Sequence, residues 1–248
     1  MIPVLLAALL LPCAGPGRQT PDTFELEPFR WRAEATPQPA ISAANEWGDL
    51  RVRTTARDTL EVSAMIQNIG GRPEFEVMVD EREDRVDVRV RPLVASPRGR
   101  VDLTLLVPAG KQVDASTRDG LAEVKHSGPV RAHTRAGAIV IDTPSHAAAR
   151  SEAGSITAKL SGGGWRDPTA LSTGSGAIVV WLPRDAGVEL RAEAGGGVEV
   201  GFPLRPGAGH TPSRVRARIG RGGPELHVES GTGAVSVLPY GGGSPSAP

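Results

Sequence analysis

One cysteine, four tryptophans, four phenylalanines and a single tyrosine in 248 residues leave little material for a thick globular core or a disulfide frame. The cysteine, Cys13, lies in an apolar N-terminal run. A chain that sheds this run has neither a disulfide nor a thiol nucleophile, so its fold must hold by packing and backbone pairing alone. Charge of one sign is also missing: 28 Lys and Arg balance 28 Asp and Glu. No overall field draws the chain to nucleic acid or anionic lipid, which excludes both as general partners.

Catalytic and cofactor motifs are lacking too. His126, His133, His146, His210 and His227 are scattered, and no pair has the spacing of a metal motif. No serine stands in a G-x-S-x-G elbow, and the glycine clusters do not join a strand to a helix as a phosphate-cradling loop requires. Asp114, Asp119 and Asp142 prompt a comparison with polysaccharide-cleaving β-helices, which align acids along one sheet. They hold different positions in their repeats, so no carboxylate pair at catalytic separation follows. The chain therefore reads as non-enzymatic, with no cofactor and no metal.

What is present begins with Ile2 to Cys13, an uncharged apolar run too short to span a bilayer and followed by small and breaking residues. Residues 1–14 read as a cleaved secretory signal, placing the mature chain outside the cytoplasm (periplasm, envelope or medium) without a transmembrane span. The alternative is a buried core segment or a misplaced start. Leu10-Leu11-Pro12-Cys13 loosely resembles a lipobox, which would leave Cys13 acylated. Residues 15–40, with several prolines and the isolated aromatics Phe24, Phe29 and Trp31, read as an extended lead-in ordered by docking its aromatics.

From Ile41 the alternation of apolar and polar residues typical of strands begins. Asn45 to Leu50 carries a first glycine-centred unit. Glu74 to Arg91 reads as a β-hairpin with the four-residue loop Glu81–Asp84. A register with Asp80 opposite Arg85 gives the charge pairs Glu76–Arg89 and Glu74–Arg91, and sets Phe75, Val77 and Val79 against Val90, Val88 and Val86. Glu81, Glu83 and Asp84 are weighed as a cation site, but their neighbouring arginines compete with a metal and favour a solvated charge run.

Residues 113–238 repeat. Aligned on Gly120, Gly137, Gly154, Gly176, Gly197 and Gly233, the positions seven, five and three before each glycine are all apolar or small hydroxyl residues, from Val113/Ala115/Thr117 to Leu226/Val228/Ser230. Two and four after it come Ala122/Val124, Ile139/Ile141, Ile156/Ala158, Ile178/Val180 and Val235/Val237, with the Gly197 copy in phase only when counted from Gly196. The glycines are 17, 17, 22, 21 and 36 residues apart. Units of this size that cannot bury their own apolar face must stack. The expected fold is all-β: a single-stranded β-solenoid of parallel β-helix-like coils of 17–22 residues over 41–239, six or seven coils making a rod about 30 Å long at a spacing near 4.8 Å. Ile139, Ile156 and Ile178 should form one buried column. Glycine at each corner is expected to supply a positive φ.

The insertions between units can carry surface character. Ser161 to Pro168 presents Trp165, either as a partner contact or as a side chain lying against the coil stack. Trp181 alternates outward and has the same two readings. Phe202 to Thr211 is rich in Pro and Gly and precedes an irregular copy whose Arg214, Arg216, Arg218 and Arg221 could meet an anionic glycan, or form a solvated face that protects against edge pairing. Residues 240–248 read as a flexible tail.

With the repeats in view, residues 45–239 resemble the bacterial "putative adhesin" family of exported β-solenoid domains. The resemblance is carried by Leu105-Leu106-Val107-Pro108-Ala109-Gly110, by Thr117-Arg118-Asp119-Gly120, Thr134-Arg135-Ala136-Gly137-Ala138-Ile139 and Ser151-Glu152-Ala153-Gly154-Ser155-Ile156, and by Val180-Trp181-Leu182-Pro183. Ala136 and Ala153 depart from the polar residue that the family often places before glycine. The resemblance implies export and a coil-shaped fold and supplies no catalytic residue. The leading expectation is a surface protein presenting its long sides to an envelope protein or glycan. The alternatives are a scaffold that self-associates end to end, and a polysaccharide-active enzyme with a groove along the coils.

Overall fold

The computed structural model describes residues 24–34, 38–162, 165–204 and 210–241. The expected signal, Cys13 and nearly all of the tail (242–248) lie outside the described residues. Within them are 21 strands and no helix. In chain order the first seven are β1 (Phe24–Glu34), β2 (Ala40–Asn45), β3 (Leu50–Thr55), β4 (Thr59–Ile69), β5 (Phe75–Glu81), β6 (Arg85–Pro92) and β7 (Arg100–Pro108). The repeats follow as β8 (Gln112–Thr117), β9 (Ala122–Lys125), β10 (Val130–Thr134), β11 (Ile139–Thr143), β12 (Ala147–Ser151), β13 (Ile156–Leu160), β14 (Thr169–Thr173) and β15 (Ile178–Pro183). The chain ends with β16 (Val188–Ala194), β17 (Val198–Val200), β18 (His210–Thr211), β19 (Arg214–Ile219), β20 (Glu225–Ser230) and β21 (Val235–Tyr240).

Two large mixed sheets result, neither of them closed. Sheet I has 10 strands in the order β1-β4-β7-β3-β9-β11-β13-β15-β21-β17, and sheet II has 11 in the order β18-β19-β16-β20-β14-β12-β10-β8-β2-β6-β5. The strands before the corner glycines lie in sheet II and those after them in sheet I, so each repeat adds one strand to each sheet. Strands of successive repeats pair in parallel: Val130 lies opposite both Val113 and Ala147, and Ile139, Ile156 and Ile178 are successive partners. All eighteen aligned positions before the glycines are buried, as are Ala122, Val124, Ile139, Ile141, Ile156, Ala158, Ile178, Val180, Val235 and Val237. The inner faces of both sheets share one core cluster. At about 4.8 Å per strand the sheets extend for roughly 45 Å, longer than the expected rod because strands outside the repeats prolong both ends.

The ends are not stacked in chain order. β20 sits between β14 and β16, and β21 between β15 and β17, so the last unit occupies a place inside the one that precedes it. The N-terminal end mirrors this: β2 and β3 are inserted between β8/β9 and the later β6/β7. The irregular copy Val215–Gly220 is not a further parallel coil, because β19 turns back antiparallel to β16. The extended lead-in is a regular strand that docks two of its three aromatics. Residues 24–34 form an 11-residue strand antiparallel to β4, with Phe29 and Trp31 packed on the core and Phe24 left outside.

The hairpin forms with its register moved by two residues. Glu76 faces Arg91, Val77 faces Val90 and Asp80 faces Asp87, and the loop tightens around Glu83 and Asp84 through a 2.9 Å bond from the Arg82 amide to the Arg85 carbonyl. A two-residue move keeps every side chain on its face, so the apolar pattern permits both registers. Glu74 is not a partner of Arg91: it is buried, and its carboxylate accepts the Gly99 amide at 2.7 Å and the Arg98 amide at 3.2 Å.

The corner glycines serve a different purpose from the one expected. Of the six, Gly197 alone has a positive φ, +98°. The others stack, and a Cβ on Gly120, Gly137, Gly154, Gly176 or Gly233 would lie 1.8–2.2 Å from the carbonyl oxygen of the glycine before it in the column. Beside this column runs a ladder of buried hydroxyls. Thr134 donates to the Gly137 carbonyl at 2.7 Å, the Gly154 amide donates to Ser151 at 2.7 Å, and Ser230 bridges the Gly176 carbonyl and the Gly233 amide at 2.8 and 2.9 Å. Small polar residues at this inward position satisfy backbone groups that the tight corner leaves open.

Candidate functional site

Because partners pair in register, outward side chains form columns running across the strands of each sheet. On sheet I the outer charges answer one another. Arg53 reaches Glu123 at 2.6 Å and Lys125 reaches it at 2.9 Å, and the Arg53 hydrogen bond holds the Glu123 carboxyl below the usual carboxylate range. Lys159 meets Asp142 at 3.2 Å and lies 5.2 Å from the centroid of the Tyr240 ring.

The middle of sheet II is different. Its outward positions run Ser42, Asp114, Arg131, Ala148, Ala170 in one column and Ser116, His133, Arg150, Ser172 in the next. Where the long side chains give way to Ala148, Ala170 and Ser172 the surface sinks into a hollow of about 370 Å³. Arg131, His133 and Arg150 stand along it, exposed. Among the described residues none of the three has an ion-pair or hydrogen-bond partner. Asp114, across from Arg131, is engaged by the Gln112 amide at 3.1 Å. Two guanidinium groups and an imidazole therefore face solvent above a floor of small side chains, an arrangement suited to receiving an anion.

The residues singled out from the sequence lie elsewhere. Trp165 is only 7% exposed and belongs to the core cluster, so its ring is not offered to a ligand; it packs against the coil stack. Arg214, Arg216 and Arg218 are exposed on the outer face of β19. Arg214 bonds Glu193 at 2.8 Å and Arg218 bonds Glu189 at 2.7 Å, while Arg216 faces Arg191, itself 3.2 Å from Glu225. The Arg214 hydrogen bond holds the Glu193 carboxyl below its ordinary range. This end of sheet II is a lattice of mostly answered charges. The three aspartates are dispersed: Asp114 is outward on sheet II, Asp142 outward on sheet I, and Asp119 sits at the corner between them, bonded to Arg118 and Arg135. Among the described residues no group of three His, Cys, Asp or Glu side chains could hold a metal ion.

The repeat pattern of the sequence sets His133 and Arg135 facing outward but does not single out Arg131 and Arg150. The available signal was negative: outward positions of successive units filled by Ala148, Ala170 and Ser172 where other units carry charge.

The architecture is thus an all-β stack of paired strands in which the middle of sheet II carries Arg131 and Arg150 without partners among the described residues. No family model matches the chain, and no curated protein matches it. It is similar to a solved "putative cell adhesion protein" from Clostridium sporogenes, with a TM-score of 0.48 and 12% identity over 87% of this chain and 100% of that one. It is also similar to a "putative adhesin" from Bacteroides fragilis (TM-score 0.30, 10% identity, 86% of this chain and 97% of that one) and to one from Parabacteroides distasonis (0.29, 11%, 86% and 97%).

Proposed function

We propose that the chain is an exported, non-enzymatic surface protein whose paired ladders form one β-solenoid, with the outer face of sheet II as its binding surface. The observation that carries this reading is the hollow flanked by Arg131, His133 and Arg150, two guanidinium groups and an imidazole that have no partner among the described residues. A sheet with every interior strand paired is a stable platform, and its outward side chains can vary without touching the core.

The test is retention of the labelled full chain on intact cells and on isolated envelope material. Filling the hollow with Ala148→Trp and Ala170→Trp, both at outward positions, should reduce retention at least tenfold while the thermal unfolding midpoint stays in place. Equal retention of the filled variant would overturn the reading. Export is checked separately: N-terminal sequencing of the mature chain should begin after the apolar run.

A second reading, a self-associating scaffold, is favoured by β1, the outermost strand of sheet I. Phe24 and Leu26 are 61% and 56% exposed on it, and Met65 beside it is 45% exposed. A long edge strand with apolar side chains invites pairing with another chain. Sedimentation should then show concentration-dependent association that Leu26→Lys abolishes; a monomer at all concentrations rejects the scaffold.

A further inference from the structure

We infer that the hollow on sheet II binds an acidic glycan, a chain of sugars bearing carboxylates, laid across the strands along the stacking direction. This rests on the binding-face reading above and names its ligand class. Arg131 on β10 and Arg150 on β12 occupy adjacent strands and are offset by two residues, since Arg131 faces Ala148 and Arg150 faces His133. Their backbone positions are therefore diagonal neighbours, about 7–8 Å apart. A guanidinium group matches a carboxylate through two parallel hydrogen bonds. Two such groups, one per coil, suit charges spaced along a polymer better than one compact dianion.

The rest of the hollow narrows the class. The hollow carries no Trp, Tyr or Phe ring, so the ring stacking that holds neutral sugars does not operate there. Ala148 and Ala170 leave room for a sugar ring to approach the sheet, and the Ser116 and Ser172 hydroxyls are available to ring hydroxyls. The strands beneath are paired on both sides, so an extended peptide cannot join as a new strand. Asp114 at one side repels a densely charged ligand with a negative charge on every phosphate of its backbone, such as polyphosphate, and tolerates one whose carboxylates are set a sugar unit apart.

The experiment is calorimetric titration of the full chain with an oligogalacturonate and with its methyl ester, the same sugars without charge. The acid should bind, and the ester at least tenfold more weakly. Arg131→Gln and Arg150→Gln should each weaken the acid about tenfold, the effect of one lost charge-assisted hydrogen bond. Arg218→Gln, paired with Glu189 at the far end, should leave affinity unchanged. Equal binding of acid and ester, or binding indifferent to both substitutions, overturns the inference. Absence of oligogalacturonate binding combined with loss of surface retention on filling the hollow also overturns it and leaves the binding-face reading standing. If filling the hollow changes neither, both fall.

Discussion

Gly137 and Gly110 are glycines for opposite reasons. A methyl group on Gly137 would lie 1.8 Å from the Gly120 carbonyl oxygen, whereas at Gly110 nothing lies within 4 Å but φ is +77°. Gly137→Ala must push two backbones apart in a close-packed column, and a cost of about 2–3 kcal/mol is expected. Gly110→Ala meets only the left-handed penalty, about 1–2 kcal/mol. Urea unfolding of the two variants measures the difference, and a smaller loss at Gly137 than at Gly110 rejects the stacking account. A second prediction concerns His126, which is buried. Its Nε2 donates to the Lys111 carbonyl at 2.7 Å, and in the neutral ring Nδ1 accepts from the Thr54 hydroxyl at 3.0 Å. Burial pushes its pKa below 6.5, against a smaller raising effect of the Lys111 carbonyl. Because the folded value is the lower one, the unfolded chain takes up the proton first. The stability contribution is therefore complete above about pH 6.5 and lost as pH falls through the folded pKa. Unfolding free energy followed from about pH 8 to 5 should decline, and His126→Gln should flatten the decline; an unchanged slope places the titrating group elsewhere.

Among elements, the hairpin shows where pattern stops carrying information. Alternation marks Val77, Val79, Val88 and Val90 as inward, and they pack on the core. The same alternation fits registers two residues apart, and the tight Glu83–Asp84 turn together with capture of Glu74 by the Arg98 and Gly99 amides select the observed one. That register sets Asp80 against Asp87, a like-charge pair made tolerable by Arg82, whose guanidinium lies 3.1 Å from Asp80 and 3.2 Å from Asp87. Asp87 is buried to 2% exposure under Arg82, Arg85 and Arg89, each 3.2 Å away. Removing the cations strands a buried carboxylate, while removing the carboxylate returns half-exposed arginines to water. The triple change Arg82→Ala/Arg85→Ala/Arg89→Ala should therefore cost about 1–3 kcal/mol, and Asp87→Ala less than about 1 kcal/mol. Thermal unfolding of both decides it, and the reverse order refutes the assignment of Asp87 as the group in need of partners. The candidate site was illegible for a related reason. Ala148, Ala170 and Ser172 are unremarkable along the chain and make a hollow only when two successive coils bring them side by side.

For the whole molecule, repeats specify which residues face inward but not the order in which units stack, because every unit offers equivalent upper and lower edges. The chain uses that freedom at both ends, and the C-terminal case has a testable consequence. The unit of β20 and β21 is last in the chain yet lies between β14/β15 and β16/β17. Its Leu226, Val228, Val235 and Val237 are fully buried, each worth about 1.5–3 kcal/mol of burial. Ending the chain after Pro224 therefore removes an interior coil instead of trimming an outer one. β16 loses its parallel neighbour and keeps the antiparallel β19, and β17 loses β21, its one strand partner among the described residues. Hydrogen exchange should show residues 188–219 exchanging as an open segment in the truncated chain, with residues 113–160 still protected because their neighbours are intact. Stacking in chain order predicts the opposite, protection of 188–200 after the same cut. Insertion of the last unit also requires its neighbours on both sides to be in place, so refolding of the full chain should contain a slow final phase absent from the truncated one. Loss of protection at 188–219 together with loss of that phase would tie both to the inserted coil.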